Sequence, residues 1–254
     1  MKIIGVVPAR MASSRFPGKP LHPICGMPMV EHVFRRAGLY PKWDGLFLAT
    51  CDEEIAQLGR SRGWPTLMTS DKHTRALDRV AEAAEKSGVT LAADDVVVCV
   101  QGDEPMLHPD MIAASIKPLE DDGEALCTVL AMHIVDEDLW RNPDTVKIIH
   151  DLKGNVLYTS RAPVPYCKKF SPELGARRIY GIFAFRWHFL KTFNNIPESR
   201  LELLESCDSN RILDNGYRQR IAPYPSRPSF SVDSPSDTDL VEAHIRKDEL
   251  WGKY

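Results

Sequence analysis

The sequence predicts an α/β protein built on a mainly parallel sheet, on three observations. Short apolar runs alternate with stretches of helical periodicity through residues 3–119. Two of those runs, Ile3–Val7 and Asp95–Val100, are apolar almost throughout, as strands covered on both faces must be. The loops that follow them, 8–21 and 101–105, collect small and charged residues. In open α/β sheets such loops lie beyond the carboxyl ends of the strands, where ligands bind.

Each element has its own warrant. Met29–Ala37 places apolar residues at helical spacing, with Gly38 as a stop. Gly45–Thr50 reads as a buried strand, Glu53 to about Arg62 as a helix, and Thr66–Thr69 as a short strand. Arg75–Lys86 is an alanine-rich amphipathic helix ended by Gly88, and Pro109–Leu119 is another. The second half changes character. Leu126–His133 and Val146–His150 read as strands, and the turn 152–155 leads into Val156–Ser160 as a hairpin. Ile179–Phe185 is a strand, and one helix is predicted from about Pro197 to Asp214, stopped by Asn215-Gly216. Tyr217–Ala222 and Phe230–Val232 are short strands. Ser234–Lys247 closes the chain as a helix with Ser234 as N-cap and Pro235 at its first position. The antiparallel strands predict a smaller lobe alongside the main sheet.

Composition narrows the function. At 254 residues, 43% hydrophobic and 26% charged, the chain reads as an ordinary globular protein. A net charge of -3 without a dominant basic patch argues against nucleic acid as a partner. The six cysteines are scattered with no C-x-x-C pair, so zinc and redox spacings are absent. Cys99, inside VVVCV, reads as a buried thiol. No apolar stretch approaches the roughly 18–20 residues of a membrane span, and no signal peptide is visible, so a cytoplasmic protein is expected.

The candidate chemistry starts at the first loop. Arg10, Ser13, Ser14, Arg15, Gly18 and Lys19 follow a buried strand. Backbone N–H groups and hydroxyls there can wrap a triphosphate while the cations neutralise developing charge. Neither G-x-x-x-x-G-K-[ST] nor G-x-G-x-x-G is present, and Lys19 is followed by Pro20. Taken alone, R-x-x-S-S-R is equally well a solvated basic turn. Asp103 and Asp233, each after a predicted strand, suit a Mg²⁺ that completes its shell with phosphate and water. Taken alone, Asp103 reads sooner as an Asx-type turn, and Asp233 sooner as a turn or cap residue before the helix at Pro235.

PARMASSRFPGKPL, QGDEPM, NPDTVK, SRAPVPY and VDSPSD, in that order, resemble the 3-deoxy-manno-octulosonate cytidylyltransferases (CMP-Kdo synthetases) from Ile3 to about Ala243. The resemblance implies a Rossmann-like, GT-A-like nucleotidyltransferase fold. It also implies coupling of CTP to a 2-keto-3-deoxy sugar acid, for lipopolysaccharide biosynthesis, with release of pyrophosphate. It assigns Arg10, Ser13, Ser14, Arg15 and Lys19 to the phosphates, Pro8 and Ala9 to the cytosine, and Gln101 to both substrates. Asp103 and Asp233 become the Mg²⁺ ligands and, with Lys19 and Arg10, the catalytic set. Arg79, Arg161 and Glu205 fall where the family meets its sugar acid.

Departures cluster on the acceptor side. The family's H-x-S-G-T-[DE]-R reads His73-Thr74-Arg75-Ala76-Leu77-Asp78-Arg79. Ile179 replaces a histidine, Phe183 a tyrosine, and Ser206 a glutamine. Sites that read hydroxyls discriminate through satisfied hydrogen bonds, so this pattern predicts an altered acceptor, with Arg75 a contact for added negative charge. The organisation expected is one nucleotidyltransferase domain. Its CTP-binding part covers about 1–125 plus 225–254, and its acceptor and dimerisation lobe about 126–224, in a homodimer. The alternatives are a nucleotidyltransferase for another anionic or phosphorylated acceptor and a catalytically idle relative.

Overall fold

The computed structural model describes residues 1–12 and 15–254. The chain forms two compact units, residues 1–113 with 228–254, and residues 114–227.

In the first unit, β1 (Ile3–Pro8) is buried along its whole length. The loop after it carries a 3-10 turn, Lys19–Leu21, and then a two-stranded hairpin of β2 (Pro23–Ile24) and β3 (Met27–Pro28). Its two-residue turn, Cys25-Gly26, has φ of 50° and 85°. Two left-handed residues in succession match the twist of tight hairpins. α1 (Met29–Gly38) buries Val30, Val33, Phe34 and Ala37, one face of a 3.6-residue period. β4 (Gly45–Thr50), α2 (Glu53–Ser61) and β5 (Thr66–Met68) follow. α3 (Ala76–Lys86) buries Leu77, Val80, Ala81 and Ala84 with the spacing seen in α1. β6 (Val96–Val100) is fully buried, and α4 (Pro109–Asp121) runs on into the second unit.

These strands form a parallel sheet in the order β6-β1-β4-β5. β1 pairs with β4 from Ile4↔Gly45 to Pro8↔Ala49 and with β6 from Ile3↔Val96 to Val6↔Cys99. The register brings the carboxyl ends of β1 and β6 side by side, so the loops 8–21 and 101–105 open at one edge.

The second unit has β7 (Cys127–His133), α5 (Glu137–Arg141), β8 (Lys147–His150), β9 (Val156–Ser160) and β10 (Arg177–Arg186). After these come α6 (Trp187–Asn195), α7 (Arg200–Glu205), α8 (Asp208–Asp214) and β11 (Arg220–Tyr224). β10 runs antiparallel to β7, with a register shift between Tyr180 and Phe183, and β11 runs parallel to β7. The predicted hairpin is β8–β9, and β8 also pairs with β10.

One predicted helix is two. The stretch 197–214 breaks after Glu205, where Ser206 takes φ 50°, ψ 47° and ends α7. α8 then turns Asn210 inward, its amide bonded to both Thr159 N–H and Thr159 O. The break also brings Arg211 onto Glu202, a pair buried on both sides and closed by bonds of 2.6 and 2.8 Å.

Returning to the first unit, α9 (Pro235–Ile245) starts with Pro235, as its sequence predicts, and Ser234 and Asp237 form a reciprocal capping box. Phe230–Val232, predicted as a strand, belongs to none of the strands described. Its Val232 N–H instead donates to Asp103 O at 2.9 Å, fastening this segment beside the end of β6. No helix among the described residues is long and apolar enough to cross a membrane.

Candidate active site

The first loop is held at both ends, which fixes where its cations stand. Ala9 N–H bonds Ala49 O, and Met11 N–H bonds the Asp52 carboxylate at 2.7 Å. Further on, Gly18, at φ +74°, donates its N–H to Met11 O. Phe16 is buried against Ile24, Met29, Met106 and residues of α9, an apolar anchor under a polar loop. Ser13 and Ser14, predicted to hold phosphate, lie outside the described residues.

The loop after β6 meets β1 with no room to spare. A Cβ on Gly102 would stand 2.6 Å from Pro8 O, far inside contact distance. Only glycine lets 101–103 run this close to the end of β1. Glu104, almost wholly buried, accepts the Ser231 hydroxyl on both carboxylate oxygens at 2.8 and 2.9 Å. Together with Val232 N–H→Asp103 O, this stitches 231–233 to 103–104.

A cleft of about 310 Å³ results. Pro8, Ala9, Arg10, Arg15, Lys19, Gln101, Asp103 and Asp233 all line it, and so does Ala76 of α3. Lys19 Nζ donates 3.0 Å to Asp103 Oδ2 and 2.7 Å to Val232 O. Arg15 Nη2 meets Asp233 Oδ1 at 2.7 Å. Burial, with the charge of Asp103 behind it, pushes the Asp233 carboxyl above its ordinary pKa, while Arg15 and Lys19 pull the other way. Asp103 Oδ1 is buried with no hydrogen-bond partner among the described residues. Two carboxylates that repel each other, one with an oxygen left over, fit a divalent cation. Among the described residues no group of three His, Cys, Asp or Glu does so.

The remaining predicted residues are placed differently. Arg75 stands half-buried at the N-cap of α3, and Arg10 Nη1 reaches His73 O at 3.4 Å. Arg79 is buried, its guanidinium spent on the Thr69 hydroxyl and Ser70 O, with Nη2 unpartnered among the described residues. One turn along α3, Glu82 accepts from Ser70 N–H, His73 and Lys86. Burial opposes its charge, yet those donors hold its pKa down at about 2. α3 thus secures the loop 69–73 with two side chains, one of which the sequence reading passed over.

In the second unit Arg161 and Glu205 are partners. Glu205 accepts Tyr158 OH at 2.8 Å, Ser160 Oγ at 2.9 Å and Arg161 N–H at 2.8 Å, and Arg161 Nε returns a bond to Glu205 O. Arg161 Nη1 donates to Pro143 O, and Nη2 makes no hydrogen bond with the described residues. Ile179 is half-buried and Ser206 exposed, whereas Phe183 is buried opposite Val129 in the β7–β10 pairing.

The model for the family described as cytidylyltransferase matches residues 4–221. The chain belongs to the cytidylyltransferase family. Cytidylyltransferases similar to it include the 3-deoxy-manno-octulosonate cytidylyltransferase of Syntrophotalea carbinolica, 38% identical over 97% of this chain and 99% of that protein. The enzyme of the same name from Nitratidesulfovibrio vulgaris is 40% identical over 96% of each chain. The solved CMP:2-keto-3-deoxy-manno-octonic acid synthetase, complexed with CTP, superposes with a TM-score of 0.86 at 31% identity, covering 97% of this chain and 99% of its own. A 4-diphosphocytidyl-2C-methyl-D-erythritol synthase from Anaerococcus prevotii, 14% identical with a TM-score of 0.63, shares the fold.

Proposed function

We propose that this cytidylyltransferase couples CTP to 3-deoxy-manno-octulosonate or a closely related 2-keto-3-deoxy acid. The observation that carries the reading is the cleft itself, lined by Arg10, Arg15, Lys19, Asp103 and Asp233 beside the carboxyl ends of β1 and β6. The acceptor's anomeric oxygen forms a bond to the α-phosphorus as the bond to the bridging oxygen breaks, and pyrophosphate leaves. Lys19, already desolvated and tied to Val232 O, is set to meet charge on the α-phosphate. Arg15 and Arg10, both exposed, can swing onto the leaving pyrophosphate. Main-chain groups of Pro8 and Ala9 read the cytosine. No covalent enzyme intermediate is needed, since positioning and electrostatics suffice.

Asp103 and Asp233 would hold Mg²⁺, which when bound makes the attacking hydroxyl more acidic and screens the two anions. The acceptor's carboxylate is assigned to Arg161, whose Nη2 is its open face, with Glu205 fixing that side chain. The second unit is proposed to carry a homodimer contact, which light scattering on the purified protein tests.

The deciding experiment incubates the protein with CTP, Mg²⁺ and 3-deoxy-manno-octulosonate and follows pyrophosphate. Release that needs both substrates supports the reading. Release only with another sugar acid changes the acceptor and keeps the nucleotide half. Absence of CTP binding by calorimetry overturns the proposal.

A further inference from the structure

Of the motifs N-P-D-T-V-K at 142–147 and S-R-A-P-V-P-Y at 160–166, only Arg161 enters the chemistry above. One buried ammonium joins them. Lys147, in β8, has no exposed surface. Its Nζ donates 2.8 Å to Asn142 O, 2.5 Å to Thr145 O and 2.7 Å to Arg161 O. An ammonium has three donors and no acceptor, so every donor is used, and all of them on main chain. No carboxylate of the described residues pairs with it. A buried cation without a counter-ion costs stability, and an apolar side chain would fill the same strand position more cheaply. What the cation achieves is to draw the turn 142–145 and the main chain of Arg161 to one point.

Arg161 is thereby gripped from both sides. Its C=O takes Lys147, its N–H gives to Glu205 Oε2, its Nε gives to Glu205 O, and its Nη1 gives to Pro143 O, in the turn that Lys147 also holds. We propose that Lys147 is a positioning residue for the acceptor acid, acting through Arg161 by fixing the main chain from which that guanidinium projects. The inference rests on the assignment of the acceptor carboxylate to Arg161.

Protonation is the handle. Burial, helped by the charge of Arg161 and opposed by that of Glu205, brings Lys147 down to about 8. The other groups facing the cluster are Asp144, 3.8 Å from Arg161, and Tyr158, whose phenol is pushed up by its bond to Glu205 and stays neutral here. Above pH 8 the amine loses the charge and one of three donors, and Arg161 loosens.

The test measures KM for 3-deoxy-manno-octulosonate and for CTP between pH 7 and 9.5, in the wild type, Lys147→Met and Lys147→Arg. In the wild type the acceptor KM rises above pH 8 while the CTP KM does not. Lys147→Met raises the acceptor KM on the order of 10- to 100-fold at pH 7, the scale of a misplaced contact, and its KM stays level with pH, so the gap from the wild type narrows above pH 8. Lys147→Arg moves the alkaline limb upward. A second readout needs no acceptor. Trp140 Nε1 donates to Val164 O at 3.0 Å, so its indole N–H resonance reports the segment after Arg161. That resonance shifts near pH 8 in the wild type and not in Lys147→Met. An acceptor KM in Lys147→Met equal to the wild type overturns the proposal. Should Lys147→Met fail to fold, a flat wild-type acceptor profile with an unmoving Trp140 resonance does the same. If no pyrophosphate is released with this acid, the function fails separately, and the Trp140 titration decides the role of Lys147 alone.

Discussion

Gly102→Ala adds one methyl group where the structure has no space. The new Cβ would lie 2.6 Å from Pro8 O, whereas carbon and carbonyl oxygen rest at about 3.3–3.6 Å even in close sheet contacts. Relief therefore takes roughly 0.7–1 Å of movement, and the atoms that must move are main chain at the ends of β1 and β6. Gly102 does not sit at positive φ, so alanine meets no conformational penalty and the effect is steric alone. A shift of about 1 Å between catalytic groups costs on the order of 100-fold in rate, which is about 2.7 kcal/mol. Overpacking adds about 1–3 kcal/mol of lost stability, a fall in Tm of roughly 2–4 °C for each kcal/mol. The assay is pyrophosphate release under kcat/KM conditions, with thermal unfolding of the same sample. Gly123→Ala is the control, since a Cβ there meets nothing within 4 Å. If Gly102→Ala matches both the wild type and Gly123→Ala, the close approach does not set the cleft and the reasoning fails.

Three further outcomes are expected. Lys19→Met removes a largely desolvated ammonium and leaves Asp103 without its cation; kcat falls about 100- to 1000-fold, read in single-turnover experiments. Glu82→Gln weakens the hold on loop 69–73 and costs about 1–3 kcal/mol at pH 7 by urea unfolding. Because the Glu82 pKa is depressed to about 2 in the folded state, its contribution is complete above pH 4.5 and is lost as pH falls toward 2. The variant should show a shallower loss of stability across that window. Arg211→Met strands the Glu202 carboxylate in the interior and costs about 3–5 kcal/mol, measured by the urea midpoint at unchanged m-value.

What was legible in the sequence follows from how local each cause is. β1, β4 and β6 are buried on both faces, and their apolar runs say so without help from the rest of the chain. Pro235 after Ser234 marks a helix start for reasons contained in four residues. The end of α7 is different. Nothing near Ser206 forbids a continuing helix, and the break depends on Asn210 reaching Thr159 and Arg211 reaching Glu202, contacts made across the second unit. The hairpin at Cys25-Gly26 had a local signal in its turn dipeptide, but strands of two residues carry no periodicity to read. Site residues divide the same way. Lys19 and Asp103 announce themselves as charges in loops that follow buried strands, and Asp233 as a carboxylate just before a helix start, whereas Gly102 and Glu104 matter through distances that only folding creates. Lys147 reads as an ordinary surface lysine until its burial is seen.

Lys19 and Val232 are 213 residues apart in sequence and 2.7 Å apart in space. On a ribosome adding about 5–20 residues per second, the cation waits roughly 10–40 seconds for its carbonyl. Residues 114–227, a unit in their own right, are made entirely within that interval. The nucleotide cleft is thus among the last parts of the chain to be completed, although its first loop is among the earliest segments made. Arg10, Arg15 and Lys19 pass that time without the carboxylate of Asp233. On the proposed function, the cleft that would hold a triphosphate is closed only when the segment carrying Val232 and Asp233 has been made, after residues 114–227.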